Sequence, residues 1–300
     1  MSRRLHFISG LPRSGSTLLA ALLAQNPRVH AAMTSPLGSL FGAMLNAMSA
    51  GNEYAAFLSA EQKRDVLDGM FQGYLKRYAD KDLIFDTNRF WCAKLPALAT
   101  LFPDARLICC VRNVAWIMDS FERALRRNPL ELSNLFNDET ERNTVYSRVD
   151  TLGQRNRIVG FAWSALKEAF YSDEADRLLL VEYELLAQKP QRTLELVYQF
   201  LGEEPFQHDV DNVEYQADSF DARLGTPGLH SVSGKVEFRP RRTILPPDLF
   251  QSYADMAFWQ DQSGSAASVI TVTPPAGEGK AQGAGDTTNV APLTDKATRS

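Results

Sequence analysis

The stretch Gly10-Leu11-Pro12-Arg13-Ser14-Gly15-Ser16-Thr17 decides how the rest of this chain reads. It follows the run Leu5 to Ser9, which has the length and apolar content of a strand, and it precedes Thr17 to Gln25, a segment rich in Leu and Ala with helical spacing. A strand, a glycine loop and a helix in that order aim successive backbone N–H groups and a helix N-terminus at one anion. The glycine spacing matches the Walker A pattern G-x-x-x-x-G-K-[ST], except that Ser16 stands where the lysine would be. Gly15 permits close backbone approach to a ligand, Thr17 offers a hydroxyl, and Arg13 supplies a cation from within the loop.

Three more strand candidates lie further along, at Leu83 to Phe85, Arg106 to Val111 and Leu178 to Val181. Between and after them, Glu61 to Tyr78, Asn113 to Arg127, Arg157 to Tyr171 and Pro190 to Leu201 show helical periodicity, the last ending at Gly202. This alternation predicts an α/β fold, a three-layer sandwich whose central parallel sheet is covered by helices on both faces, with a P-loop-like strand-loop-helix. One folded unit is expected over residues 1–265. Residues 266–300 are rich in Gly, Ala, Thr and Pro, and their last thirty lack any aromatic, so a disordered tail is expected there. The segment Asp218 to Pro247 is rich in Gly and Pro yet carries Lys235, Arg239, Arg241 and Arg242, which reads as a functional lid.

Composition narrows the function classes. The chain has 300 residues, 44% of them hydrophobic and 23% charged, enough apolar material for a sizeable core. No apolar run approaches the roughly 18 to 20 residues of a spanning helix, and the polar loop from Ser9 interrupts any leader-like segment, so a cytoplasmic protein with no membrane span is expected. A net charge of −4 argues against bulk electrostatic binding of nucleic acid, though not against a local anion site. Cys92, Cys109 and Cys110 read as buried thiols, and the dispersed His6, His30, His208 and His230 give little support for a zinc site or a histidine-based catalytic pair.

A second anion site follows the third strand candidate. Arg112 stands at the carboxyl edge of that strand, where α/β sheets bind ligands, and Ser120 lies about two turns along the next helix. Asp86 and Glu182 end two strands in positions where an ATP enzyme would hold Mg²⁺, but the lysine that reaches the β and γ phosphates is missing.

With both sites in view, the chain resembles the sulfotransferases that use 3′-phosphoadenosine 5′-phosphosulfate (PAPS). Leu11 to Thr17 is similar to the family's 5′-phosphosulfate loop, Arg112-Asn113 with Ser120 to its 3′-phosphate site, and Leu180-Val-Glu-Tyr183-Glu-Leu-Leu with Pro190 to Gly202 to a further shared segment. The loop and Ser233-Gly-Lys235-Val-Glu resemble most the protein-tyrosine sulfotransferases and their bacterial relatives of the RaxST type.

The resemblance implies transfer of a sulfuryl group to a hydroxyl, without a metal. Arg13, Ser14, Gly15, Ser16 and Thr17 would cradle the 5′-phosphosulfate, Arg13 also acting catalytically. Arg112 and Ser120 would hold the 3′-phosphate, with Arg123 or Arg126 as helpers, and Tyr183 and Lys235 would close over the nucleotide. The family's base positions are not matched: Phe85 to Arg89 has no histidine and Ala31 to Ser35 no carboxylate, which leaves Asp86 as the base candidate. A phenol needs less help from a base than an alkyl hydroxyl does. The acceptor expected is therefore a peptidyl tyrosine, in an acidic context suited to the arginines between Arg123 and Arg157 and to Arg239, Arg241 and Arg242. A small phenol or alcohol, a P-loop kinase and a nucleotide binder without turnover are the alternatives, and a homodimer is left open.

Overall fold

The computed structural model describes residues 4–271. Its strands are β1 (Arg4–Gly10), β2 (Val29–Ala31), β3 (Leu83–Thr87), β4 (Leu107–Val111), β5 (Leu178–Glu182), β6 (Val213–Tyr215), β7 (Val232–Gly234) and β8 (Ser268–Ile270). The first six helices are α1 (Ser16–Leu23), α2 (Leu37–Ala47), α3 (Ala60–Leu75), α4 (Phe90–Ala93), α5 (Leu95–Leu101) and α6 (Val114–Arg127). The later ones are α7 (Glu139–Arg142), α8 (Val145–Gly153), α9 (Ile158–Phe170), α10 (Tyr183–Gln188), α11 (Pro190–Leu201), α12 (Asp218–Arg223) and α13 (Pro247–Ala254).

Six strands form one sheet in the order β2-β3-β1-β4-β5-β8, every pairing parallel, and β6 with β7 forms a separate antiparallel ribbon. The unbroken apolar run of β4 shows why. Successive side chains on a strand point to opposite faces, so a strand buried on both sides needs apolar residues at every position. Leu107, Cys109 and Val111 pack on one side with Phe7, Trp91 and Phe121, whereas Ile108 and Cys110 pack on the other with Leu19, Leu22 and Val197. Helices therefore cover both faces, and the expected three layers are present.

Local signals set several helix ends. Ser59 and Gln62 close a capping box on α3, Asn113 accepts from the Ala115 N–H at 3.0 Å, and α11 runs from Pro190 to a left-handed Gly202 with φ 67°. The strands that sequence periodicity does not reveal, β2, β6, β7 and β8, have three residues each, too few for an alternating pattern. β8 corrects the boundary expected at residue 265: Ser268 to Ile270 pairs with Leu179 to Val181 and completes the sheet edge, so the folded unit continues into the segment expected to be tail. Residues 272–300 lie outside the described residues.

The carboxyl ends of β1, β3, β4 and β5 open onto the site, which places the glycine loop beside the ends of its neighbours. The loop is held close. Leu11 N donates to Cys110 O at 2.9 Å, and a Cβ on Gly10, whose φ is 102°, would land on that carbonyl and stand 2.7 Å from Cys110 N. Gly10→Ala is expected to destabilise the chain by about 3 kcal/mol or more, because left-handed strain and a backbone clash coincide. Gly202→Ala, also at positive φ but with open space around it, should cost about 1 to 2 kcal/mol. Urea unfolding of the two variants checks this, and equal losses would refute it.

Candidate active site

The loop's conformation is set by two left-handed residues, Arg13 with φ 58° and Gly15 with φ 92°. Arg13 is the one non-glycine residue with positive φ among the described residues, a conformation that persists only where surroundings impose it. Its guanidinium Nε donates to Ser120 Oγ at 3.2 Å, and its Nη1 donates to the Leu229 carbonyl. Burial, with Arg112 adding to it, pushes the Arg13 pKa down to about 10, so the side chain is still a cation at neutral pH. Gly15 caps the start of α1, whose first turn carries no acidic residue, so the positive end of that helix is left for an outside anion.

Gly15, Ser16 and Thr17 line a cavity of about 860 Å³ together with Arg13, Arg112, Ser120, Tyr183 and Lys235. Ser14 departs from the expected set. Its side chain is fully buried and its hydroxyl donates to the carbonyls of Leu11 and, at 2.8 Å, Cys110, so it braces the loop from behind and does not line the cavity.

The strand register explains the second corner. β4 and β5 pair Val111 with Glu182, so the next residues, Arg112 and Tyr183, leave the sheet side by side. The Arg112 guanidinium lies 4.2 Å from the Tyr183 ring centroid and donates from Nε to Glu184 at 3.1 Å. Tyr183 packs against the loop: a Cβ on Gly15 would stand 2.9 Å from Tyr183 Cδ2. Of the two expected helpers, Arg123 lines a small adjoining pocket with Arg13, Ser120, Arg127 and Arg241, whereas Arg126 is bound at 2.7 Å to the buried Glu122 and lines neither cavity. Lys235 is at the exposed rim, 2.8 Å from Asp211, whose hydrogen bond raises its pKa.

Asp86 is not where a base would have to be. Its carboxylate accepts from Trp91 Nε1 at 2.8 Å and from the Ser35 hydroxyl, is buried, and does not line the cavity. Glu182 is likewise engaged, accepting from Trp259 Nε1 at 2.9 Å and Thr271 Oγ1 at 2.5 Å. The arginines expected to attract an acidic peptide are largely engaged within the chain. Arg123 and Arg241 hold Asp119 at 2.9 and 2.8 Å, Arg126 and Arg148 hold Glu122 at 2.7 Å each, and Arg157 and Arg239 hold Glu141 and Glu237.

The lid expected over Asp218 to Pro247 forms one wall of the cavity and contains α12 and β7. It also carries a pair that the sequence reading passed over. His230 lines the cavity with Nδ1 2.6 Å from Asp221 Oδ1, while the His230 backbone N–H donates to Asp221 Oδ2 at 2.8 Å. Gly225 and Gly228, with φ 64° and 74°, turn the chain back between them. No fixed spacing marks such a pair in sequence; only the turn brings it together. Arg89 and Thr87 also line the cavity, and the buried Thr87 Oγ1 has no partner. Among the described residues no group of three His, Cys, Asp or Glu side chains could hold a metal, and no helix is long and apolar enough to cross a membrane.

The Danio rerio protein-tyrosine sulfotransferase 1 is 28% identical over 203 residues, 65% of this chain and 52% of its own length. The nodulation protein NoeE of Sinorhizobium fredii (strain NBRC 101917 / NGR234) is 27% identical, over 66% of this chain and 50% of its own. The chain thus spans about half the length of these curated relatives. A solved sulfotransferase domain from the Synechococcus PCC 7002 olefin synthase is 20% identical, covering 83% of this chain and 93% of that one with a TM-score of 0.42. The model of the sulfotransferase family matches residues 6–208, which contain the loop, Arg112, Ser120 and Tyr183, and the chain belongs to that family.

Proposed function

We propose that the chain moves the sulfuryl group of PAPS to a hydroxyl, and that the acceptor is a phenol, with a peptidyl tyrosine favoured. The observation that carries this reading is that the glycine loop and the Arg112 corner meet in one cavity, joined where Arg13 of the loop donates to Ser120 of α6. Backbone N–H groups of the loop, with Arg13, Gly15, Ser16 and Thr17, would hold the 5′-phosphosulfate. Arg112 and Ser120 would hold the 3′-phosphate, with Arg123 and Arg241 adjoining and with Tyr183 and Lys235 beside the nucleotide. In an enclosed site, fixed donors and a cation aimed at the leaving phosphate oxygen act most strongly as charge develops there.

Two features favour this donor over a Mg²⁺-bound triphosphate. Ser16 occupies the lysine position, and the strand-end carboxylates Asp86 and Glu182 are committed to Trp91, Ser35, Trp259 and Thr271. The phenol preference rests on the apolar part of the cavity lining, where Leu135, Ile158 and Phe220 offer surface to a ring. The name of the Danio rerio relative points to tyrosine. A small phenol or alcohol is the second reading, favoured by the internal pairing of the arginines that would have drawn an acidic peptide.

Calorimetry is expected to show binding of adenosine 3′,5′-bisphosphate and none of ATP with Mg²⁺; preference for ATP would reverse the assignment. Arg13→Ala should cut transfer by about 10² to 10³-fold, roughly 2.7 to 4 kcal/mol, in a chain that stays folded, and near-normal turnover would refute its role. Asp86 supplies a separate check. Burial raises its pKa to about 6, so its proton is held more tightly in the folded than in the unfolded state. Its contribution to stability therefore falls as pH rises from about 4 to about 6. Asp86→Asn should flatten that slope in urea midpoints and leave transfer within a few-fold, whereas a loss of about 10²-fold with an intact fold would restore Asp86 as base.

A further inference from the structure

The geometry points to His230 as the base that takes the acceptor's hydroxyl proton, with Asp221 as the residue that positions it; this rests on the sulfuryl-transfer reading above. Asp221 is fully buried, and its two carboxylate oxygens are spent on one residue, Oδ1 on the His230 ring and Oδ2 on the His230 backbone N–H. That double attachment fixes the ring and puts its proton on Nδ1. Nε2 is left as a lone-pair acceptor with no protein partner among the described residues, on a side chain that lines the cavity. The arrangement is the carboxylate-oriented imidazole of general-base catalysis.

The surroundings keep the ring neutral. Burial lowers the His230 pKa most; Asp221 opposes this through its hydrogen bond and charge, and the cations Arg13 and Arg89 lower it further. The Phe220 ring packs edge-on at 5.6 Å and contributes no charge. The other titratable groups along the cavity are less suited. Glu237 is paired with Arg239, Lys235 with Asp211, Tyr183 lies under Arg112, and Asp86 does not reach the space. In the step assigned to this pair, the acceptor oxygen bonds to sulfur while the bond from sulfur to the 5′-phosphate oxygen breaks. The bonding electrons leave with adenosine 3′,5′-bisphosphate, and the hydroxyl proton passes to His230 Nε2.

The test compares His230→Gln with the unmodified chain on two acceptors, a weakly acidic phenol and a nitrophenol already ionised at the assay pH. Transfer to the weakly acidic phenol should fall about 10² to 10⁴-fold and transfer to the ionised one by less than about tenfold, since an ionised acceptor has no proton to give. Calorimetric affinity for adenosine 3′,5′-bisphosphate should be unchanged. The acidic limb of kcat/KM against pH, lying below the ordinary imidazole range, should vanish in His230→Gln. In Asp221→Asn it should move to lower pH as kcat drops, because the carboxylate that favoured the imidazolium is gone. Equal losses on both acceptors, full activity on the weakly acidic phenol, or lost bisphosphate binding in His230→Gln would each overturn the assignment. An unmodified chain that binds no bisphosphate and sulfates neither phenol would instead defeat the sulfotransferase reading and this inference with it.

Discussion

One carbonyl oxygen, that of Cys110, holds the site together. It accepts from Leu11 N at 2.9 Å and from Ser14 Oγ at 2.8 Å, and it lies where a side chain on Gly10 would have to go. The loop can approach β4 this closely only because Gly10 has no Cβ. Once the loop is pinned there, Arg13 must turn through a left-handed conformation that carries its guanidinium to Ser120 and Leu229, and Gly15 delivers the chain into α1 with its amide groups unspent. The sheet register then does the rest: pairing Val111 with Glu182 brings Arg112 and Tyr183 against the same loop. The hydrogen bonds of Leu11 and Ser14 to the Cys110 carbonyl seat the loop on β4, and Arg112, Tyr183 and the start of α1 line the cavity beside it.

Charge in this molecule matters by position. The total is −4, yet Arg13, Arg89, Arg112, Arg241 and Lys235 line a single cavity. Arg123, Arg126 and Arg148 are held by the buried carboxylates Asp119 and Glu122, and Asp119 shows what such an arrangement does. It accepts from Ile244 N at 2.8 Å and Thr243 Oγ1 at 3.1 Å while holding Arg123 and Arg241, and so ties the segment after β7 to α6. A buried carboxylate left without these partners would carry a large desolvation penalty, so the cluster forms as a unit or not at all.

The acids that end strands have structural duties. Asp86 joins Trp91 of α4 to the Ser35 corner, whose residues line the cavity, and Glu182 joins Trp259 to Thr271 just beyond β8. The proton acceptor assigned to the cavity comes instead from the wall between β6 and β7, where two glycines bend the chain enough for Asp221 to reach the ring of His230.

The sequence by itself determined the parts whose signal is local. Apolar runs marked four central strands, periodicity marked five helices, and the glycine loop with Arg13, and Arg112 eight residues before Ser120, marked residues that meet at one cavity. These were legible because strand burial, capping and loop geometry depend on neighbours within a few residues. Only the tertiary structure decided the rest: the three-residue strands, the inward turn of Ser14, the withdrawal of Asp86 from the cavity, the pairing of the surface arginines, and the meeting of His230 with Asp221. Each depends on which distant group satisfies a buried donor, acceptor or charge, and that partner is chosen by packing across the whole molecule.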